Sequence, residues 1–438
     1  MNKRWIAAFM MIVMIIGIFC GCKKKEAVET TAPAEETGLT ASLTLVCPVQ
    51  GAALDEIGAQ LADFKARFPN VDVMLVTDAD AQGDVVLTTP DDAYNYYKEG
   101  KLLDLNMWVN DSGLVLDRLG NMSQMGLPQE TQENLVELFY EEGTQFEDNT
   151  LYMMPFYRHS QILFMNQTFM EEHELETPFT WEELEVVCET AKAADPEFIP
   201  LVFNDITSTF ISMCAQFGAE YNKDEGIVSL LNSEGAVKAL KMLNDWYAKG
   251  YMTTAELRGG QASLTAEDAW LIIDSTANSK NHAPAADNDA FAFEMSGITL
   301  PYFAEGTGKV LTEGPGFVLV RSEDDDQNLA AWLLIKHLTV DEAFQTKLAM
   351  AGSVIPVLSS IITNDTYSDY LDLANGDENV DSYAALVSME QQHRFFTAPA
   401  YDGSAADKTV IAELISTCII LTGDVEGQIV GALEAAIS

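Results

Sequence analysis

Apolar residues along this chain follow two periods, and the switch between them outlines an α/β protein. Ser42–Cys47 is a short apolar run of β-formers and predicts a strand. Leu54, Ile57, Leu61, Phe64 and Phe68 then recur at three- and four-residue steps, one face of a helix. Pro69-Asn70 stops that helix, and Val71–Val76 and Gly83–Leu87 predict the second and third strands. Pro90-Asp91-Asp92 opens another helix, so strand and helix alternate as in a parallel sheet. Such sheets touch ligands at the carboxyl ends of their strands, here the loops 48–53 and 88–95. Further strands are expected at Asn149–Pro155 and Ile162–Met165, and helices over 181–194, 207–217, 233–248, 327–338 and 341–350. Thr180, followed three residues later by Glu183, has the spacing of a capping box. The segment from about 365 to 438 reads as helices with loops.

The start of the chain follows a different rule. Lys3 and Arg4 precede an almost unbroken apolar run, Trp5–Phe19, which ends in Cys20-Gly21-Cys22. The run matches a signal-peptide core and is short for a membrane span of roughly 20 residues. Gly21-Cys22 resembles a bacterial lipobox, with Cys22 as the lipid-bearing residue and small Gly21 before it; bulky Phe19 precedes Cys20. Lys23–Lys25 and a Glu, Thr, Ala and Pro stretch follow, too poor in apolar side chains to offset chain entropy. This places a signal peptide over 1–21, a flexible tether over 22–39 and a lipid-anchored body on the outer face of a bacterial cell membrane.

The formal net charge of −44 excludes a nucleic-acid partner, which needs a basic footprint. Outside the leader, Cys47, Cys188, Cys214 and Cys418 show no metal or redox spacing and read as buried thiols, with any pairing left open. Asp78–Gly83 begins like a calcium loop, but its twelfth position is Thr89 where a bidentate Glu is required. The five histidines are scattered, and no nucleotide, hydrolase or zinc motif is present, so neither cofactor nor metal is expected.

Ordered landmarks over roughly 40–360 resemble one family, the extracellular solute-binding proteins of ABC importers, in their maltodextrin- and sugar-binding branch. They are Phe64–Val73, Gly83–Val86, Gly100–Leu105, Leu151–Pro155, Phe164–Asn166, Gly314–Gly316, Ala330–Trp332 and Gly352–Pro356, with Pro178–Leu184 (PFTWEEL) the most specific. Thr265–Trp270 departs from the family's "G-x-A-A-M". The resemblance implies a two-lobed, periplasmic-binding-protein-like α/β fold of type II with a ligand cleft between lobes. One lobe would be 40–157 plus 295–340 and the other 158–294 plus 341–438, with crossings near Phe156–Ser160, Phe293–Ile298 and Thr339–Asp341. It implies a non-enzymatic subunit that captures a solute, most often a carbohydrate, for ABC permease transmembrane subunits. A secreted carbohydrate-active enzyme, a binder of another solute and a sensing partner remain open as alternatives.

A sugar needs aromatic faces and polar groups. On the expected inter-lobe loops the candidates are Gln50, Asp55, Tyr94, Tyr96, Tyr157, Arg158, Asn204, Asp205, Trp270, Glu313, Gly314 and Tyr401. Each has a plainer alternative. The tyrosines at 94, 96 and 97 have helical spacing suited to packing, Arg158 could pair with a carboxylate, and Trp270 could pack. Trp181, Trp246 and Trp332 read as structural.

Overall fold

A computed structural model describes residues 38–264, 268–282, 295–372 and 380–438. The leader, residues 22–37 of the tether, the Thr265–Glu267 part of the departing motif and Phe293 lie outside them; Leu39, the last residue of the expected tether, is already buried in the core. Two sheets form two lobes. The first has strands β1 (Ala41–Val46), β2 (Val71–Val76) and β3 (Val85–Thr88) in parallel. A hairpin of β4 (Leu114–Leu116) and β5 (Met122–Gln124) lies apart from it. The second sheet has the long β7 (His159–Asn166) at its centre, flanked by β10 (Leu271–Ser275), with β8 (Leu201–Phe203) and β9 (Met252–Thr254) beyond.

Both sheets are covered on both faces, which is why their strands are apolar almost throughout. Leu43 and Leu45 of β1 enter one core of the first lobe while Val46 enters a smaller one on the opposite face. Leu163 and Met165 of β7 face the second lobe's main core, and Ile162 and Phe164 face away. These are the two faces of a period-two strand. The helix Gly51–Arg67 buries Ile57 and Phe64, two positions of its predicted stripe. Thr180 and Glu183 form the capping box in both directions, at 3.2 and 2.9 Å. Trp181, Trp246 and Trp332 are fully buried. Cys47, Cys188, Cys214 and Cys418 are buried free thiols.

The chain passes between the sheets at residues 156–158: strand β6 (Met153–Pro155) lies at the edge of the first sheet, and after three residues β7 begins the second. The return differs from expectation. Strand β11 (Met295–Thr299) pairs antiparallel with β7, so the chain is still in the second lobe at 295–299. Strand β12 (Val310–Glu313) also pairs with β7, and the return comes at Gly314-Pro315. Strand β13 (Gly316–Leu319) then inserts antiparallel between β3 and β6.

The third expected crossing, at Thr339–Asp341, is corrected likewise. The helix Glu342–Gly352 packs on Gly51–Arg67, and Phe344, Leu348, Ala349, Ile361 and Tyr367 join the first lobe's core. An amphipathic pattern says that a face is buried, not which sheet buries it. The chain rejoins the second lobe later: the helix Val380–Glu390 packs on β7 and β11, and β14 (Phe395–Phe396) pairs with β12. Ser404–Cys418 and Val425–Ala436 complete that lobe.

Candidate functional site

Between the lobes the two crossings lie side by side and are tied together. The backbone of Arg158 exchanges hydrogen bonds with Ile355 of the first lobe's core, at 3.1 and 2.7 Å, which anchors the first crossing. Arg158 Nη1 donates to Gly314 O at 2.6 Å, and the guanidinium forms an ion pair with Glu142 in which both side chains are almost wholly buried. Gly314 has no room for a side chain: a Cβ there would meet the carbonyl oxygen of Tyr157 at 2.1 Å. The contact of the crossings thus requires glycine at 314, and Arg158 fastens it.

Over this clamp lies a cavity of about 330 Å³, within the size range of small-molecule sites, whose walls come from both lobes. The first lobe supplies Thr89, Pro90 and Asp91, from the end of β3 and the start of the helix Pro90–Lys98, together with Glu142. The second supplies His159, Gln161, Asp205, Thr312, Glu313 and Lys408. Asp205 caps the helix Ile206–Gln216 by accepting from Ser208 N at 3.1 Å, which turns its carboxylate towards the seam. Gln161 Nε2 donates to Asp205 Oδ2 at 3.0 Å, and the Ser208 hydroxyl donates to Glu313 Oε2 at 2.6 Å. From the helix Ser404–Cys418, Lys408 reaches across to Asp91 at 2.8 Å and touches Glu313 at 3.1 Å.

So many carboxylates in little water perturb each other. Burial, reinforced by the charge of Glu313, pushes Asp205 up to about 6, against the Ser208 N–H that holds it down. Burial pushes Glu142 up to about 7, although Arg158 opposes it. Burial, then the neighbouring Arg158 charge, lowers His159 to about 4, so its imidazole is neutral. Burial works against the charge of Lys408, but Glu313 and Asp91 more than compensate and hold it protonated. The arrangement can bind, by charge and hydrogen bonds, from two sides.

Two hollows flank this cavity. One, of about 460 Å³, is lined by Tyr94, Glu147, Lys223, Tyr401 and Asp407; the other, of about 500 Å³, by Thr88, Tyr96, Tyr157 and Pro315. Thr89 and Pro315 border both the latter and the central cavity. Tyr94 donates to Glu147 at 2.9 Å and Tyr401 to Asp407 at 2.6 Å; the Tyr94 ring is buried against Phe146 and Tyr97, so Tyr94 is a packing residue, and the Tyr401 ring meets Tyr221 edge-on.

Asp205, Glu313 and Gly314 therefore meet in the central cavity, and Tyr94, Tyr401, Tyr96 and Tyr157 lie in the hollows. The other candidates are elsewhere. Gln50 and Asp55 stand exposed at the start of the helix Gly51–Arg67. Arg158 is clamped to Glu142. Asn204 is spent inside its lobe on Ala262 and Asp274. Trp270 lies between Phe169 and Phe198, at ring separations of 4.1 and 4.4 Å. Sequence reasoning passed over Asp91, Glu142, His159, Gln161 and Lys408. Asp91 had a signal in the loop after β3; Lys408, in a late helix, had none.

A family model described as bacterial extracellular solute-binding protein matches residues 72–375. No curated protein matches the chain by sequence. Solved structures match over nearly the whole length. The cyclic alpha-maltosyl-1,6-maltose binding protein of Arthrobacter globiformis is 16% identical with a TM-score of 0.70, covering 91% of this chain and 98% of that one. Maltose-bound MalE3 of T. maritima is 14% identical, TM-score 0.67, with 91% and 99% covered. UgpB of Mycobacterium tuberculosis, in complex with glycerophosphocholine, is 15% identical, TM-score 0.66, with 90% and 96% covered. At these identities the likeness shows the two-lobed fold.

Proposed function

The chain belongs to the bacterial extracellular solute-binding proteins, and from that premise we propose that it captures a carbohydrate outside the cell and hands it to the permease of an ABC importer. The observation that carries this is the cavity on the seam, walled by Asp91 from one lobe and by Asp205 and Glu313 from the other, above a clamped pair of chain crossings. A solute touching both walls stabilises the closed arrangement, and closure is the signal a permease can read. Asp205 and Glu313 accept from the solute's hydroxyls, and the rings of Tyr96, Tyr157 and Tyr401 pack against sugar faces in the hollows. The protein catalyses no reaction. Cys22 carries the lipid, residues 1–21 are removed on export, and 22–39 tether the body, with the three lysines each adding about 1 kcal/mol of attraction to anionic headgroups.

A thermal-shift screen of sugars, polyols and their phosphates, with peptides as the contrast set, tests the ligand class. A saturating ligand at a hundredfold excess over its Kd adds about 2.7 kcal/mol of stability. Peptides shifting the melting temperature while no sugar does would overturn the carbohydrate reading, and hydrolysis of a glycan panel by the pure protein would overturn the non-enzymatic one. Mass spectrometry of the mature N-terminus should find a lipidated Cys22.

A further inference from the structure

Resting on the carbohydrate reading, we propose that the Asp91–Lys408 ion pair is a length gate. It divides one long groove and confines the bound saccharide to the part on its near side. The walls of that groove are continuous. At one end the central cavity shares Thr89 and Pro315 with the hollow of Tyr96 and Tyr157. At the other end, three stretches of chain wall first the cavity and then the hollow of Tyr401. Asp91 lines the cavity and Tyr94, one helical turn on, lines the hollow. Glu142 and Gln145 divide in the same way, as do Lys408 and its neighbour Asp407.

The ion pair stands where the cavity passes into the far hollow. Lys408 Nζ meets Asp91 at 2.8 Å, joining the helices Ser404–Cys418 and Pro90–Lys98 from opposite lobes. On the near side Lys408 also touches Glu313, at 3.1 Å. On the far side the Tyr401 hydroxyl donates to Asp407 and lies 3.3 Å from that of Tyr221. Burial is the main cause that raises the Tyr221 hydroxyl, and the charges of Asp91 and Lys408 act on it too. The pair thus has cavity groups before it and hollow groups behind it. A linear saccharide that fills the near part meets it end-on and has to part the two charges to continue. Lys408 is 33% exposed and can keep Glu313 as it lets go, whereas Asp91, 10% exposed, is left with little water. That cost falls only on chains long enough to reach the pair. The hollow behind is larger than the cavity, about 460 against 330 Å³, so removing the pair adds room for further sugar units.

Isothermal titration of the full mature chain with maltose to maltohexaose, and with cellobiose to cellohexaose, reads the gate as the dependence of affinity on chain length. In the native protein affinity should level off or fall beyond the trisaccharide. In Lys408→Ala it should go on rising, the hexasaccharide gaining roughly fivefold or more over the trisaccharide, and Asp91→Ser should give the same profile. Lys408→Arg, which can still reach Asp91, should keep the native profile. Lys98→Ala breaks an exposed bridge from the first lobe to Asp402 whose lysine lines neither the cavity nor the hollow, and it should also leave the profile native. Melting curves confirm that each variant folds. Affinity climbing to the hexasaccharide in the native protein, or a profile unchanged in Lys408→Ala and Asp91→Ser, overturns the gate and leaves the carbohydrate reading intact. An equal shift in Lys98→Ala or in Lys408→Arg assigns the effect to general opening of the lobes and overturns the gate as well. Silence from both series in the native protein overturns the carbohydrate reading, and the gate with it.

Discussion

Two ionic contacts lie at the base of the cleft, and burial makes them different devices. Arg158 and Glu142 have side chains 0% and 3% exposed, on the crossing itself. Lys408 is 33% exposed and shares itself between Asp91 and Glu313 across the mouth of the cavity. In the first pair a charge that loses its partner has no water to turn to, so the contact is permanent and belongs to the framework. In the second, solvent or a solute can take the place of either partner, so the contact can be exchanged as the lobes move. The chemistry is the same, cation with carboxylate; access to water decides which one holds the hinge and which one can take part in binding.

The contrast can be broken hardest at the buried pair. Glu142→Ala leaves Arg158 charged and unpaired and should cost about 3–5 kcal/mol in urea or thermal unfolding; a loss below 1 kcal/mol would mean that water reaches the guanidinium. Gly314→Ala comes next. Its Cβ would require the Tyr157 carbonyl to move, so we expect about 1–3 kcal/mol of destabilisation together with weakened solute binding, because the two crossings separate. Lys408→Met should cost about 1 kcal/mol or less, yet shift the ligand-free ensemble towards open lobes, read as a larger radius of gyration in solution scattering.

The smallest effect is with pH. Glu142 and Asp205 are raised, to about 7 and about 6, so each adds stability when protonated and loses it as pH rises through those values. His159 is lowered from 6.5 to about 4 and works the other way, removing stability as pH falls across that interval. Between pH 7.5 and 6.5 the gain from Glu142 and Asp205 exceeds the opposition of His159, which grows towards pH 6.5. The melting temperature should therefore rise on acidification through that window, and Glu142→Gln should flatten the rise.

The sequence carried the framework well because the framework is periodic. The stripe Leu54–Phe68, the Thr180–Glu183 box and strands at 41–46 and 71–76 are local patterns with local causes, and each lies within a residue or two of its expected place. The crossings were less legible. Strand β11 and the helix Glu342–Gly352 are ordinary apolar segments, and only the long-range partners β7 and Gly51–Arg67 decide their lobe. Asp205 could be picked from the loop after a strand and Glu313 and Gly314 from their place just before one, whereas Lys408 reaches Asp91 across more than three hundred residues of chain, a pairing no spacing rule encodes. Trp270 and Asn204 show the converse: good ligand chemistry, absorbed by neighbours in their own lobe.

Whether one solute is held by both lobes at the seam can be read from hydrogen–deuterium exchange with and without a saturating sugar ligand. A solute so held slows exchange together in residues 88–92 of the first lobe and in 159–161, 205–208 and 311–314 of the second. Protection confined to one lobe, or centred away from these segments, would contradict it.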